Sequence, residues 1–272
     1  MRTLIALLRK HFSEAKWGLA LSMLAFFAFS ILTVWLTLRA ERVLESGDFG
    51  PNGRRLRLFQ ALGAKDFSSL TLEICFWNFP LITLTVLGWA IGRGASPVAG
   101  EIERGTLDLI LSRPVSRSLY LLSHVTFTVI GLVAMAAALI AGNFVGSQIY
   151  TVKSPPGVLI LLRPALMLVT FGMAAYAYTL PFSAIDIARW RPSLIASAVT
   201  FAGIVGICIS PQFEEQRELL ERVSIFWAYT PITVSQTSDT LAYNAAVLLG
   251  IFATGLVVAL IAFSRRDLPT NS

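Results

Sequence analysis

Residues 119–150, LYLLSHVTFTVIGLVAMAAALIAGNFVGSQIY, run for 32 positions without an Asp, Glu, Lys or Arg. That exceeds the ~20 apolar residues needed to cross a hydrocarbon core ~30 Å thick. Five more windows are equally free of those charges: 17–38, 74–91, 164–185, 192–213 and 240–264. The whole chain is 55% apolar and 14% charged, with a mean hydropathy of +0.69. Soluble domains hold roughly 45–50% apolar and ~25% charged residues, so this chain belongs to the membrane class. A transmembrane barrel would show weakly alternating runs of about ten residues, and none is present. Backbone polar groups in lipid must be paired within their own segment, so the windows read as helices. The expectation is an all-α polytopic protein with six spans, forming one transmembrane domain over residues 1–272.

The first window is too long for a signal-peptide core of ~7–15 residues, and no small-x-small cleavage site follows it before Arg39. It reads as a retained span. Six spans put both termini on one side of the membrane. Twelve Lys and Arg fall on that side and ten on the other, six of those ten in the 39–73 loop. The positive-inside rule then places the termini in the cytoplasm. Residues 1–16, MRTLIALLRKHFSEAK, put Leu4, Leu8 and Phe12 on one helical face with Leu7 beside them. Arg2, Arg9, Lys10 and Lys16 flank that face, which suits an amphipathic helix lying in the interface; a disordered basic tail is the alternative. The 39–73 loop has a turn-rich centre, SGDFGPNG, and is too short for a domain with its own core. In residues 211–231, Glu214, Glu215, Glu218 and Glu221 oppose Leu219, Leu220 and Val223, ahead of Phe226, Trp227 and Tyr229. This reads as an external amphipathic helix followed by a half-buried segment kinked at Pro231.

Enzymatic chemistry is hard to place in this chain. A P-loop needs a Gly-rich turn ending in Gly-Lys-Ser/Thr, and no such run occurs, nor does an HExxH zinc helix. His11 and His124 are the only histidines. His124 lacks an acid or a second His at helical spacing, so it reads as a neutral, hydrogen-bonded helix residue. Ser183 near Asp186 has no His nearby in sequence and reads as a helix end; Cys75 and Cys208 read as packing residues. The polar candidates inside spans are Asn78, His124, Asn143 and Asn244, while Pro80 and Pro181 read as tolerated kinks. That scarcity of charge argues against an ion-coupled carrier.

Residues 100–117, GEIERGTLDLILSRPVSR, stand apart. Glu101, Glu103 and Asp108 with Arg104, Arg113 and Arg117 surround an apolar stripe of Leu107, Ile110 and Leu111. Lipid cannot hold this segment, so it sits in water at a membrane face. Gly105 breaks the charged stretch, Thr106 can cap a helix starting at Leu107, and Pro114 ends that helix. An idle loop would not need exposed Leu107, Ile110 and Leu111.

The order acid, Arg, Gly-Thr-Leu, short apolar turn, Arg-Pro-Val-Ser-Arg resembles the signature of ATP-binding-cassette (ABC) type-2 exporter permeases. Glu101 and Glu103 match its acids, Gly105, Thr106 and Leu107 its triplet, and Pro114, Val115, Ser116 and Arg117 its closing run. The motif is short; the order of amphipathic start, six spans and external element matches more coarsely. The resemblance implies a non-catalytic permease subunit in a bacterial-type inner membrane. Its coupling helix would dock on a cytoplasmic nucleotide-binding ATPase subunit through Glu101, Glu103, Gly105, Thr106, Leu107, Ile110, Leu111, Arg113, Pro114 and Arg117. ATP and Mg would be bound by that partner, with no cofactor in this chain. A second permease copy, or a related chain, would complete the pore. The alternatives are a non-transporting membrane scaffold or assembly factor that docks a cytoplasmic partner, and an ion-coupled secondary transporter.

Overall fold

The computed structural model describes residues 2–46, 76–112, 115–152, 155–213, 216–222, 224–236 and 239–266. The centre of the 39–73 loop, Cys75, Arg113, Pro114, Glu214, Glu215 and Val223 lie outside these residues. So do the side chains of Asp108, Leu111, Leu219, Leu220 and Glu221.

The described chain is helical, with no strand. Its elements are α1 (Arg2–Ser46), α2 (Pro80–Gly94), α3 (Leu107–Leu111), α4 (Arg117–Ile149), α5 (Val158–Ile185), α6 (Trp190–Ile209), α7 (Arg217–Arg222), α8 (Pro231–Gln236) and α9 (Asp239–Arg265). Five of them, α1, α4, α5, α6 and α9, are long and apolar enough to cross a membrane. The expected span at 74–91 is different. Helix α2 has 15 residues, about 22 Å at 1.5 Å each, which is short of a hydrocarbon core. It then bends by 54° into residues 96–103, so a sixth crossing exists only if the bent pair counts as one. Pro80 is the first residue of α2 and not a kink within it; there its missing N–H costs nothing. Pro181, by contrast, lies inside α5.

Helix α1 also departs from the expected interfacial helix followed by a separate span. It is one helix of 45 residues, and its amphipathic start packs into the bundle, with Leu7 and His11 buried. No helix breaker occurs between Phe12 and Ser46, apart from a single Gly18, so nothing in the sequence stops the helix at the interface.

Helices α4 and α5 form the centre, with α1 and α2 packed on them and α6 and α9 at the periphery. Small residues set the close approaches, as expected where lipid offers no hydrophobic drive between helices. A Cβ on Gly142 of α4 would lie 2.4 Å from the Phe27 carbonyl oxygen of α1, and one on Gly255 of α9 would lie 2.3 Å from that of Ala177 in α5. One contiguous core runs through Phe26, Val86, Tyr120, Phe171, Leu180 and Phe263. The start of α1, the end of α9 and residues 100–117 meet at the same end of the bundle, called the loop end below.

Candidate functional site

The bend after α2 creates the site. Pro97 cannot donate to the helix ladder, and residues Ser96–Gly100 widen into a π turn. The backbone groups this frees are buried, so other helices satisfy them. Ser183 of α5 donates from Oγ to the Ala95 carbonyl at 3.0 Å and accepts the Val98 and Ala99 N–H groups at 3.3 and 3.2 Å. The Tyr120 hydroxyl of α4 donates to the Pro97 carbonyl at 2.7 Å. Ser183, which the sequence presents as a plain helix end, is therefore the peg on which the bend hangs.

A single turn, Glu101–Glu103, follows, and it ends in a glycine cap. Gly105 has φ +66°, a left-handed conformation that an L side chain resists. The Gly105 N–H bonds the Ile102 carbonyl and the Thr106 N–H bonds the Glu101 carbonyl, both at 2.9 Å, which closes the Schellman pattern. The next helix starts at Leu107, with the Thr106 carbonyl accepting the Ile110 N–H at 3.2 Å. Thr106 thus holds the cap position by its backbone, but its hydroxyl turns back to the Glu101 carboxylate and carbonyl.

The two acids of the motif divide their work. Glu101 is 1% exposed, and its Oε1 accepts from Lys10 Nζ and from Arg104 Nη2, each at 3.0 Å. Its Oε2 takes the Thr106 hydroxyl. A buried carboxylate persists only when paired in this way. It ties residues 101–106 to the start of α1, where Lys10 also lies 3.6 Å from Glu14. Glu103 is exposed, and its Oε2 accepts the Arg189 N–H at 2.9 Å, at the N-cap of α6. It borders an open groove of about 580 Å³ with Arg189, Trp190, Ser193, Leu194 and Ser197.

The apolar stripe is arranged differently from its expected outward display. Leu107 is buried at 3% exposure, and Ile110 packs half-buried on the core. Among the described side chains of α3, the exposed apolar one is Leu109, at 68%. A five-residue helix has one inner side, and Leu107 and Ile110, three apart, take it. A cavity of about 350 Å³ lies between α1 and this segment, lined by Leu7, Lys10, Glu101, Arg104, Leu109 and Val115 among others.

Arg117 faces inward as well. Its Nη1 donates to the carbonyls of Phe263, Ser264 and Arg266 at 3.1, 3.3 and 2.7 Å, closing the C-terminal end of α9. Arg266 Nη1 in turn donates to the Ala184 and Asp186 carbonyls, each at 2.8 Å, at the end of α5. Burial pushes the Arg266 guanidinium below its ordinary value, while the Asp186 charge pulls it back up. Cations at helix C-termini suit both the orphan carbonyls and the dipole. The structure thus brings Glu101, Glu103, Gly105, Thr106, Leu107, Ile110 and Arg117 together at the loop end, four of them directed into the protein.

Helical spacing along one strand of sequence could not show that the two histidines meet. The His11 and His124 rings meet with centroids 3.8 Å apart and planes tilted by 46°. His124 Nε2 is 3.0 Å from the Tyr120 hydroxyl and His11 Nε2 is 3.0 Å from Ser123 Oγ. No group of three or more His, Cys, Asp or Glu suited to a metal occurs among the described residues. Comparison with family models, curated proteins and solved structures gives no match to this chain.

Proposed function

We propose that this chain is the membrane-spanning permease subunit of an ABC exporter, with its termini and the loop end in the cytoplasm of a bacterial-type cell. One observation carries the reading: the Glu101–Glu103 turn is bonded into the bundle and leads through the Gly105 cap into the short helix α3, with Leu109 and Glu103 exposed. A push on that helix reaches α1 through Glu101 and Lys10, α4 through the Tyr120–Pro97 bond, and α5 through Ser183. Closure of two ATPase subunits on ATP and Mg would drive two such bundles, this chain and a second copy or a related permease, between inward- and outward-open arrangements. The chain itself is non-catalytic in this reading. Its docking residues are Leu109 and Glu103, and Glu101, Gly105, Thr106 and Leu107 shape the helix behind them. Arg113, Pro114 and Leu111 keep the contact role that the resemblance gives them.

The test is co-expression with a Walker-A ATPase encoded beside this chain. Wild-type protein should co-purify with it, and Leu109→Asp should lose the partner at unchanged membrane abundance. Retention of the partner by that variant would remove α3 from the interface. Capture of a cytoplasmic protein without ATPase activity would favour the scaffold reading.

A further inference from the structure

Arg93, in the last turn of α2, is a cation without an ion pair among the described residues. Its Cζ lies 4.9 Å from the centre of the Phe127 ring and 6.0 Å from that of Trp89. Its Nε and Nη2 are buried with no hydrogen-bond partner, and so is Trp89 Nε1. The acid in electrostatic range is Glu14, which is held 3.6 Å from Lys10 and is not within ion-pair distance of Arg93.

The histidine pair also borders Phe127, with the His11 ring centre 6.1 Å from that of Phe127. The Tyr120 hydroxyl spends its proton on the Pro97 carbonyl, so it accepts from His124 Nε2–H. Ser123 Oγ spends its proton on the Tyr120 carbonyl, so it accepts from His11 Nε2–H. Both Nδ1 atoms therefore carry lone pairs, and both are buried without a partner. Donors from α2 and acceptors from α1 and α4 are thus gathered around one aromatic ring.

A buried polar atom without a partner is costly, and an uncompensated charge in a span costs more. Water can satisfy an imidazole nitrogen, but it does not neutralise a guanidinium. A metal ion fits poorly, because Arg93 repels it and no third ligand joins the histidines among the described residues. The complement is a group with an oxyanion for the N–H donors and an acidic hydroxyl whose single proton serves one of the two Nδ1 lone pairs, the other being left to water. The aromatic walls around it suit an attached apolar tail.

We propose that this cluster binds the acidic head of an amphiphile, a phosphate monoester monoanion or chemically equivalent oxyanion that keeps one acidic hydroxyl of its own. The oxyanion sits on Arg93 and Trp89, and the hydroxyl donates to one Nδ1 of the histidine pair. That the amphiphile is the transported substrate rests on the permease reading; that the head binds here does not.

The test uses the full chain in nanodiscs of neutral phosphatidylcholine, titrated calorimetrically with octyl phosphate, octanol and inorganic phosphate. Saturable binding of octyl phosphate is expected, at least tenfold tighter than either of the others. Arg93→Gln should weaken it at least tenfold while unfolding no earlier than wild type, since that change removes an unpaired charge. Glu14→Gln should leave binding equal or tighter. Absence of saturable binding, equal binding by octanol, or undiminished binding by Arg93→Gln each overturns the proposal. Earlier unfolding of both Arg93→Gln and Glu14→Gln also does, because it makes the two residues a structural pair. Nanodiscs containing phosphatidylglycerol distinguish sources: competition assigns the head to a bilayer lipid, and its absence to a free solute, with the site retained in either case. Binding is read on the chain alone, so its failure leaves ATPase co-purification untouched, and the converse holds as well.

Discussion

Replacing Glu101 with Gln keeps the shape of a buried side chain and removes the charge that three neighbours point at. Lys10 Nζ, Arg104 Nη2 and the Thr106 hydroxyl all bond this carboxylate. A hydrogen bond to a charged group contributes roughly 1.5–3 kcal/mol, which would give a loss of about 4.5–9 kcal/mol if all three counted in full. They do not. The Lys10 and Arg104 side chains are 32% and 48% exposed, so both recover hydration when the pair is broken. Lys10 also keeps Glu14 at 3.6 Å. The discounted loss is about 3 kcal/mol, or a fall of about 6–12 °C at ~2–4 °C per kcal/mol for a chain of this length. Glu103→Gln touches an exposed cap at α6 and should cost about 1 kcal/mol or less. Thermal unfolding of both variants in one detergent measures the contrast. A fall for Glu103→Gln equal to or larger than that for Glu101→Gln would refute the division between the acids. A second check follows from the cost of orphaned groups: Lys10→Met should cost less in the Glu101→Gln background than in wild type.

Leu107→Asp should reduce abundance and thermal stability together, because an unpaired carboxylate would replace a core residue at a cost of several kcal/mol; quantitative blotting of membranes beside Leu109→Asp checks it. Gly105→Ala should lower stability by about 1–2 kcal/mol through its left-handed backbone, although its Cβ would meet open space; an unchanged unfolding temperature would contradict the cap geometry. Ser183→Ala should cost roughly 1–3 kcal/mol by stranding the Val98 and Ala99 amides, and Ser183→Thr should not restore the loss if the extra methyl finds no room; hydrogen exchange at those two amides would report the bend opening. Single cysteines at Leu109 and Gln216, in a chain with Cys75 and Cys208 replaced by Ser, should label from opposite sides with an impermeant reagent; labelling of both from one side would overturn the topology.

The membrane class was legible in the sequence, because removal of charge over twenty or more residues has one physical use. Helices α4, α5, α6 and α9 fall close to the windows drawn at 119–150, 164–185, 192–213 and 240–264. The segment whose bounds differ most is 74–91, and the reason is specific. A hydropathy window measures where charge is absent, whereas α2 starts where Pro80 allows and keeps Arg93 as its penultimate residue. The amphipathic start of α1 looked interfacial because periodicity shows a helix with one apolar side and cannot say whether lipid or protein covers it. Here protein covers Leu7 and His11, while on the expected apolar face Leu4 and Leu8 are half-buried and Phe12 is exposed.

The same limit governs the motif. Glu101 and Glu103 lie two apart, as do Leu107 and Leu109, and in the sequence alone either acid and either leucine could be the outward one. What separates them is the bend at Pro97 and the cap at Gly105, which rotate Glu101 and Leu107 inward and leave Glu103 and Leu109 in water. A docking helix that only lay on the surface would move by itself when pushed. One preceded by a turn whose buried acid is bonded to α1, and by a bend that hangs on α5, is coupled to both. The rigid joint, more than the exposed apolar side chain, is what a force-transmitting role requires. On this argument Glu101→Gln should uncouple ATP hydrolysis from export even at temperatures where the variant is fully folded and still holds its ATPase. The measurement is the ratio of transport to hydrolysis in reconstituted vesicles. An unchanged ratio would show that the push does not travel through Glu101 to α1.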